Sequence, residues 1–282
     1  MMKKEKDMNR KKNARNDTTE LDVETVVFEN SIFHRDFFAH FLRWSHILHV
    51  MYARKKTDLV DVGCGEGALA KLLYKNRCAP DYYLGIDVDK KKIDQNMKNF
   101  DRILWAEFVA ADVTDKKFKH PKEKFDIVTS FEVLEHVGRD NVPAFLESLS
   151  KFGKDDAVFY LSTPNYDEKV GAAQNHIYGG KINEWEHEEL HAELCKVFTV
   201  EKRYGTFASQ KDYKDLMNAA TLQIWEALHS YYDSNVLSVM FAPLFPTRAR
   251  NCMWVMRQGK SRYPGKLDEK QLFFPFEKKV KK

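Results

Sequence analysis

Two aspartates, Asp87 and Asp112, each close a short apolar stretch downstream of three glycines at alternate positions, Gly63, Gly65 and Gly67. Glycines allow a tight turn and let a ligand lie against bare backbone. Asp87 stands about twenty residues past the last of them, where a carboxylate can accept from both hydroxyls of a ribose. A carboxylate at Asp112 can accept from the exocyclic amine of an adenine, with Ala111 or Val113 against the ring. Either aspartate alone reads equally well as a helix cap or a turn residue. Two acids ending successive strands beside a glycine turn favour a nucleoside ligand. Gly63-x-Gly65-x-x-Ala68 also satisfies the dinucleotide fingerprint, so a nicotinamide cofactor stays open on the glycines and is disfavoured by Asp112.

Such residues need a parallel sheet to hold them. Leu59-Val60-Asp61-Val62 is short, apolar and β-branched, the pattern of a buried parallel strand, and residues 68–73 follow the glycines with helical propensity. Further strands are expected over residues 82–87, 106–113, 124–130, 157–162, 198–204 and 251–257. Helices are expected over 33–54, 89–100, 141–152 and 186–196. The first carries a broad aromatic and apolar face (Phe33, Phe37, Phe41, Leu42, Trp44, Leu48, Met51) read as packing plus a lid, and its His40, His46 and His49 are read as structural. A polar loop over 166–185 contains His176. A helical insertion over 209–247 carries Tyr213, Trp225, Tyr231, Tyr232, Phe241 and Phe245, read mostly as the core of a substrate cap.

The 282 residues are 43% hydrophobic and 13% aromatic, enough for one substantial core. The net charge of +4 is too balanced to argue for a nucleic-acid partner, although Lys and Arg gather at both ends. Residues 1–25 and 263–282 read as basic disordered tails around one domain, 30–262. Cys64, Cys78, Cys195 and Cys252 lie far apart with no CxxC pair, so neither a disulfide framework nor a zinc knuckle is indicated and a reducing cytoplasm is expected. No stretch approaches the ~18 apolar residues of a membrane span, and the charged start is no secretory signal.

Asp61-Val62-Gly63-Cys64-Gly65-Glu66-Gly67, then Gly85-Ile86-Asp87, Ala111-Asp112-Val113, and Phe125-Asp126-Ile127-Val128 with Glu132-Val133-Leu134-Glu135-His136, resembles the class I S-adenosylmethionine-dependent methyltransferases. The resemblance runs from about residue 33 to residue 257. It implies an α/β fold: a Rossmann-like, seven-stranded, mostly parallel sheet with helices on both faces, a helical insertion before the last strand, and that last strand antiparallel. It implies S-adenosylmethionine as cofactor. Asp61, Gly63, Cys64, Gly65 and Gly67 would hold the methionine end, Asp87 and Val88 the ribose, and Asp112 and Val113 the adenine. Ser130 and Phe131 would line the wall near the sulfonium.

Glu132-x-x-Glu135-His136 is similar to the divalent-metal site of the small-RNA 3′-terminal 2′-O-methyltransferases. It is equally similar to a segment of the polyprenyl-catechol O-methyltransferases of quinone synthesis. Both families add a histidine after the fifth strand, matched here by His176, with His187 and His191 as rivals. The resemblance thus implies Glu132, Glu135, His136 and His176 as candidate ligands of Mg²⁺ or Mn²⁺. Without a metal, His136 or His176 is the candidate base, with Glu132 beside it. The expected function is O-methylation of a small-molecule or nucleotide-like acceptor. Metal-dependent 2′-O-methylation of an RNA 3′ end, with the basic tails on the phosphates, and a non-catalytic binding partner are the alternatives.

Overall fold

The computed structural model describes residues 35–54, 57–119, 122, 124–167, 177–178, 181–208 and 213–260. Both expected tails, His176 and residues 209–212 lie outside the described residues. Helix α1 (Arg35–Tyr52) precedes strand β1 (Asp58–Val62), which passes through the glycine turn into α2 (Ala68–Lys75). Then come β2 (Tyr82–Asp87), α3 (Lys90–Asn99), β3 (Ala106–Ala110) and β4 (Phe125–Phe131). A single turn, α4 (Leu134–Val137), leads to α5 (Val142–Lys151) and the long β5 (Gly153–Pro164). A small hairpin, β6 (Ile177–Tyr178) and β7 (Lys181–Ile182), precedes α6 (His187–Leu194) and β8 (Phe198–Phe207). The insertion supplies α7 (Ala219–His229) and α8 (Ser234–Phe241), and β9 (Asn251–Gln258) follows.

The seven large strands lie in the order β3-β2-β1-β4-β5-β9-β8. β1 to β5 are mutually parallel, and β9 runs antiparallel between β5 and β8. This is the Rossmann-like sheet expected, with its reversed strand and its helical insertion. The chain changes direction across the sheet between β1 and β4, and the crevice outside their carboxyl ends is where such sheets bind ligands.

Alternation along each strand sorts side chains onto two faces. Leu59, Tyr83, Ile127, Val158, Tyr160, Met253 and Val255 meet α1, α2 and α3 on one face. Val60, Leu84, Val128, Phe159, Leu161 and Trp254 meet α5, α6 and the insertion on the other. The β1 and β4 interiors are buried on both faces, which is why they read as continuous apolar runs.

Several boundaries differ from expectation. β3 ends at Ala110 rather than at residue 113, because Asp112 turns the chain: its Oδ1 accepts from Thr114 N and Oγ1 at 2.8 and 2.7 Å. β5 begins four residues early, where Lys154 bonds Asp126 and Asp58 and ties the strand to its neighbours. On α1 the row facing inward is Ala39, Arg43, Ile47 and Met51, one turn apart, whereas Phe41 is 53% exposed on the opposite side. The hairpin β6–β7 is a feature that the polar loop did not announce.

The insertion is largely core, as expected. Tyr213 stacks between Phe245 and Phe241, and its hydroxyl accepts from Trp225 Nε1 at 3.3 Å. Tyr231 and Tyr232 are exposed and belong to no core. The insertion rests directly on β8: a Cβ on Gly205 would stand 2.3 Å from the carbonyl oxygen of Ala242.

Candidate active site at the carboxyl edge of the sheet

The glycine turn is defined by its backbone. Gly63, Gly65 and Gly67 have φ of 79°, 50° and 73°, a left-handed backbone that side-chain-bearing residues avoid. A Cβ on Gly63 would also stand 2.1 Å from Val133 Cγ2, so the turn presses against the segment after β4. Gly63 N and Cys64 N donate to the Ile86 carbonyl, and Gly67 N donates to Cys64 O. Asp87 completes the lock. Its Oδ2 accepts from Gly65 N at 2.9 Å and its Oδ1 from Asp89 N at 2.8 Å, while Asn96 Nδ2 donates to Gly65 O at 2.8 Å. These turn amides therefore face the protein, and the carboxylate of Asp87 keeps further lone pairs for hydroxyls.

Asp61 lies beneath the turn, buried, opposite Thr129 in the β1–β4 register. Its Oδ1 accepts from Thr129 Oγ1 at 2.7 Å and its Oδ2 from the Tyr83 hydroxyl at 2.9 Å. Burial pushes its pKa from 3.8 to about 6; the two hydrogen bonds oppose that rise, and the charge of Asp87 adds to it. At the end of β4, Ser130 Oγ is buried and finds no partner among the described residues. Asp112 and Val88 are exposed beyond the ends of β3 and β2, and Phe131 and Val113 are half-buried. Cys64 is buried in the turn, its thiol pushed up by burial and by the Asp61 and Asp87 charges.

The other half of the edge is built on Glu132, whose φ of 57° is strained for a residue with a side chain. Its amide donates to Ser162 O at 3.0 Å. Its Oε1 accepts from Ser162 Oγ at 2.8 Å and lies 3.2 Å from Arg43 Nη1; its Oε2 accepts from Asn251 Nδ2 at 2.7 Å. Arg43 also donates to Asn251 Oδ1 at 3.1 Å and to His40 Nδ1 at 2.8 Å, and Thr206 Oγ1 donates to the same Asn251 oxygen. Burial and the Arg43 charge hold His40 well below the usual imidazole range.

Glu135 is buried beside this network. Its Oε2 accepts from Thr163 Oγ1 at 3.0 Å, and its Oε1 has no partner among the described residues. Burial first, and the Glu132 charge second, raise its pKa well above the ordinary carboxylate value. His136, one residue on, is exposed. The segment after β5 closes over this turn. Asn183 Nδ2 donates to Glu135 O, while Arg139 bonds Glu184 O and Glu189 and lies 4.2 Å over the Trp185 ring. The rival histidines are engaged elsewhere. His187 Nε2 donates to Ala249 O at 3.1 Å, and burial pulls its pKa to about 3; His191 Nε2 meets Cys195 Sγ at 3.3 Å.

The residues toward S-adenosylmethionine fit that group. A buried carboxyl (Asp61), an orphaned buried hydroxyl (Ser130) and two carboxylates at or just past the ends of β2 and β3 (Asp87, Asp112) have the chemistry that an ammonium, a ribose and an exocyclic amine require. Toward Mg²⁺ or Mn²⁺ the described residues Glu132, Glu135 and His136 do not fit in the same way, and His176 lies outside the described residues. Among the described residues no group of three or more His, Cys, Asp or Glu side chains is placed to hold a metal, and Glu132 is already engaged with Arg43, Ser162 and Asn251. The sequence reading missed Arg43, Ser162, Thr163 and Asn251. Arg43 left a signal: an arginine on the apolar row of a helix is never a neutral choice.

No helix among the described residues is long and apolar enough to cross a membrane. Residues 37–227 match the methyltransferase domain family. Curated relatives include the ubiquinone biosynthesis O-methyltransferases of Pelagibacter ubique, 28% identical over 115 residues (39% of this chain, 43% of the relative), and Actinobacillus pleuropneumoniae, 30% over 111 residues (38% and 45%). The match thus spans less than half the length of these relatives. Among solved structures, the methyltransferase domain of a bacterial CtHen1 superposes with a TM-score of 0.50 at 18% identity, covering 78% of this chain and 99% of that one. A methyltransferase in complex with the Haloferax volcanii Trm112 activator gives 0.50 at 17%, covering 78% and 89%. At such identities these two speak for the fold alone. With two-thirds of its length inside the family and its strands in this order, the chain belongs to the methyltransferase domain family and has the class I S-adenosylmethionine-dependent methyltransferase fold.

Proposed function

We propose that the protein is an S-adenosylmethionine-dependent O-methyltransferase whose acceptor is a small hydroxylated molecule. When bound, the cofactor supplies a methyl group already activated on a sulfonium. Asp61 and the Gly63–Gly67 turn, with Cys64 in its wall, hold the methionine end. Asp87 accepts the ribose hydroxyls on lone pairs its two amide donors leave open, beside Val88. Asp112 offers Oδ2 to the adenine amine, with Val113 against the ring, and Ser130 Oγ and Phe131 line the crevice between them.

A hydroxyl acceptor needs its proton removed and its oxygen aligned. His136 is the exposed imidazole at the acceptor side and serves as the base. Burial favours the neutral form of Glu135, which can donate to an oxygen, and its buried, unpartnered Oε1 is the single observation that carries this reading. A buried polar atom without a partner is costly, by about 1–3 kcal/mol, and an oxygen-bearing acceptor would relieve it. The names of the curated relatives point the same way.

Labelled methyl transfer to separate pools of phenols, catechols, other small alcohols and short RNAs tests the reading. Label should appear in a small-molecule pool, and His136→Ala should abolish it without weakening S-adenosylhomocysteine binding. Label confined to RNA 3′ ends would replace this acceptor with the RNA one. No label in any pool would favour a non-catalytic role.

A further inference from the structure

Glu132 and Glu135 belong to the metal set that the resemblance implies, and a cation belonging to the chain already faces Glu132. Arg43 reaches from the inward row of α1 to the end of β4, its side chain 1% exposed. Its Nη1 lies 3.2 Å from Glu132 Oε1 and 3.1 Å from Asn251 Oδ1, and its Nη2 donates to His40 Nδ1 at 2.8 Å. Glu132 is consumed by this arrangement. Oε1 faces Arg43 and Ser162 Oγ, and Oε2 accepts from Asn251 Nδ2, so three of about four carboxylate lone-pair sites are taken. Thr206 Oγ1 holds Asn251 in the orientation that gives its amide to Glu132 and its oxygen to Arg43. The guanidinium cannot lose its proton, so it is a permanent charge.

We infer that Arg43 is the fixed cation of this site, standing where a metal ion would stand, positioning Glu132 and making the Glu132–Glu135 pair a poor divalent-metal site. A metal bound at the fourth lone pair would lie within a few ångströms of a buried positive charge and would have to displace Arg43 from Asn251 and His40 together. In this reading α1 is part of the acceptor-side machinery. Arg43 is a positioning residue: it sets the charge and direction of Glu132, whose strained backbone alone would not hold it.

Mn²⁺ titration of the full chain, followed by the electron paramagnetic resonance of free Mn²⁺, tests this apart from any question about the acceptor. The wild type should bind Mn²⁺ no more tightly than about 1 mM, the weak end of carboxylate sites. Arg43→Gln, which removes the charge, should tighten binding by about tenfold or more, and adding Glu135→Gln should erase the gain. Arg43→Lys keeps the cation and should bind as weakly as the wild type. Wild-type binding of one equivalent in the micromolar range, lost in Glu135→Gln, overturns the inference. So does a folded Arg43→Gln variant with no gain. If Arg43→Gln does not fold, the wild-type and Arg43→Lys titrations decide, since tight binding by either contradicts a fixed cation.

Discussion

Replacing Asp61 by asparagine should stabilise the protein at neutral pH and weaken it in acid. The folded pKa of Asp61 is about 6 against 3.8 for a free carboxyl, because burial outweighs the Thr129 and Tyr83 hydrogen bonds. A raised acid pKa means that the folded state binds the proton more tightly than the unfolded one. Stability from this group is therefore greatest below pH ~4, falls as pH rises through about 6, and is fully lost above. Two pKa units correspond to roughly 3 kcal/mol. The substituted amide cannot ionise, but its nitrogen cannot accept from the Tyr83 hydroxyl as Oδ2 does, a loss of about 1 kcal/mol at any pH. Asp61→Asn should thus be about 2 kcal/mol more stable than wild type at pH 7.5 and about 1 kcal/mol less stable near pH 4. Thermal or urea unfolding of both proteins at intervals across pH 4–8 reads the difference directly. A constant difference across that range would refute the reasoning. The same pKa links to binding: near pH 6, S-adenosylmethionine should release about half a proton from the wild type and none from Asp61→Asn, measured by calorimetry in buffers of different ionisation enthalpy.

Other outcomes follow from the same geometry. Arg43→Met and Glu132→Gln should each destabilise by about 3–5 kcal/mol, by stranding the opposite partner, and the double variant should recover part of the sum in urea denaturation. Gly63→Ala forces a Cβ against Val133 at a positive φ and should lower the melting temperature and S-adenosylhomocysteine affinity together, by about 1–3 kcal/mol in stability. Tyr213→Ala should cost about 3–5 kcal/mol, whereas Tyr231→Ala, at an 84% exposed residue, should stay within about 0.5 kcal/mol.

The glycine turn and the strands beside it were legible in the sequence because their signals are local. Gly63 to Gly67 needs a backbone that only glycine adopts cheaply, and Asp87 and Asp112 follow short apolar runs whose period reveals strands. The reach of β3 was overestimated because Ala111 and Val113 continue the apolar pattern, while the Asp112 turn bond that ends the strand leaves no periodic trace. The network around Glu132 was less legible, since it joins residues as far apart as Arg43, Glu132 and Asn251. Nothing in a one-dimensional pattern pairs α1 with β9. The aromatic stripe on α1 drew attention to Phe41, yet the sheet selects the row one turn apart that carries Arg43. Within the insertion, aromatic content alone could not separate Tyr213, locked between two phenylalanines, from Tyr231 in solvent.

Calorimetric titration of the full chain with S-adenosylhomocysteine, beside Asp87→Asn and Asp112→Ala, bears most directly on the claim that the strand ends clasp an adenosyl ligand. One equivalent should bind, with affinity reduced about tenfold or more in each variant through the lost charge-assisted hydrogen bonds. No heat of binding, unchanged affinity in both variants, or preferential binding of NAD would contradict it.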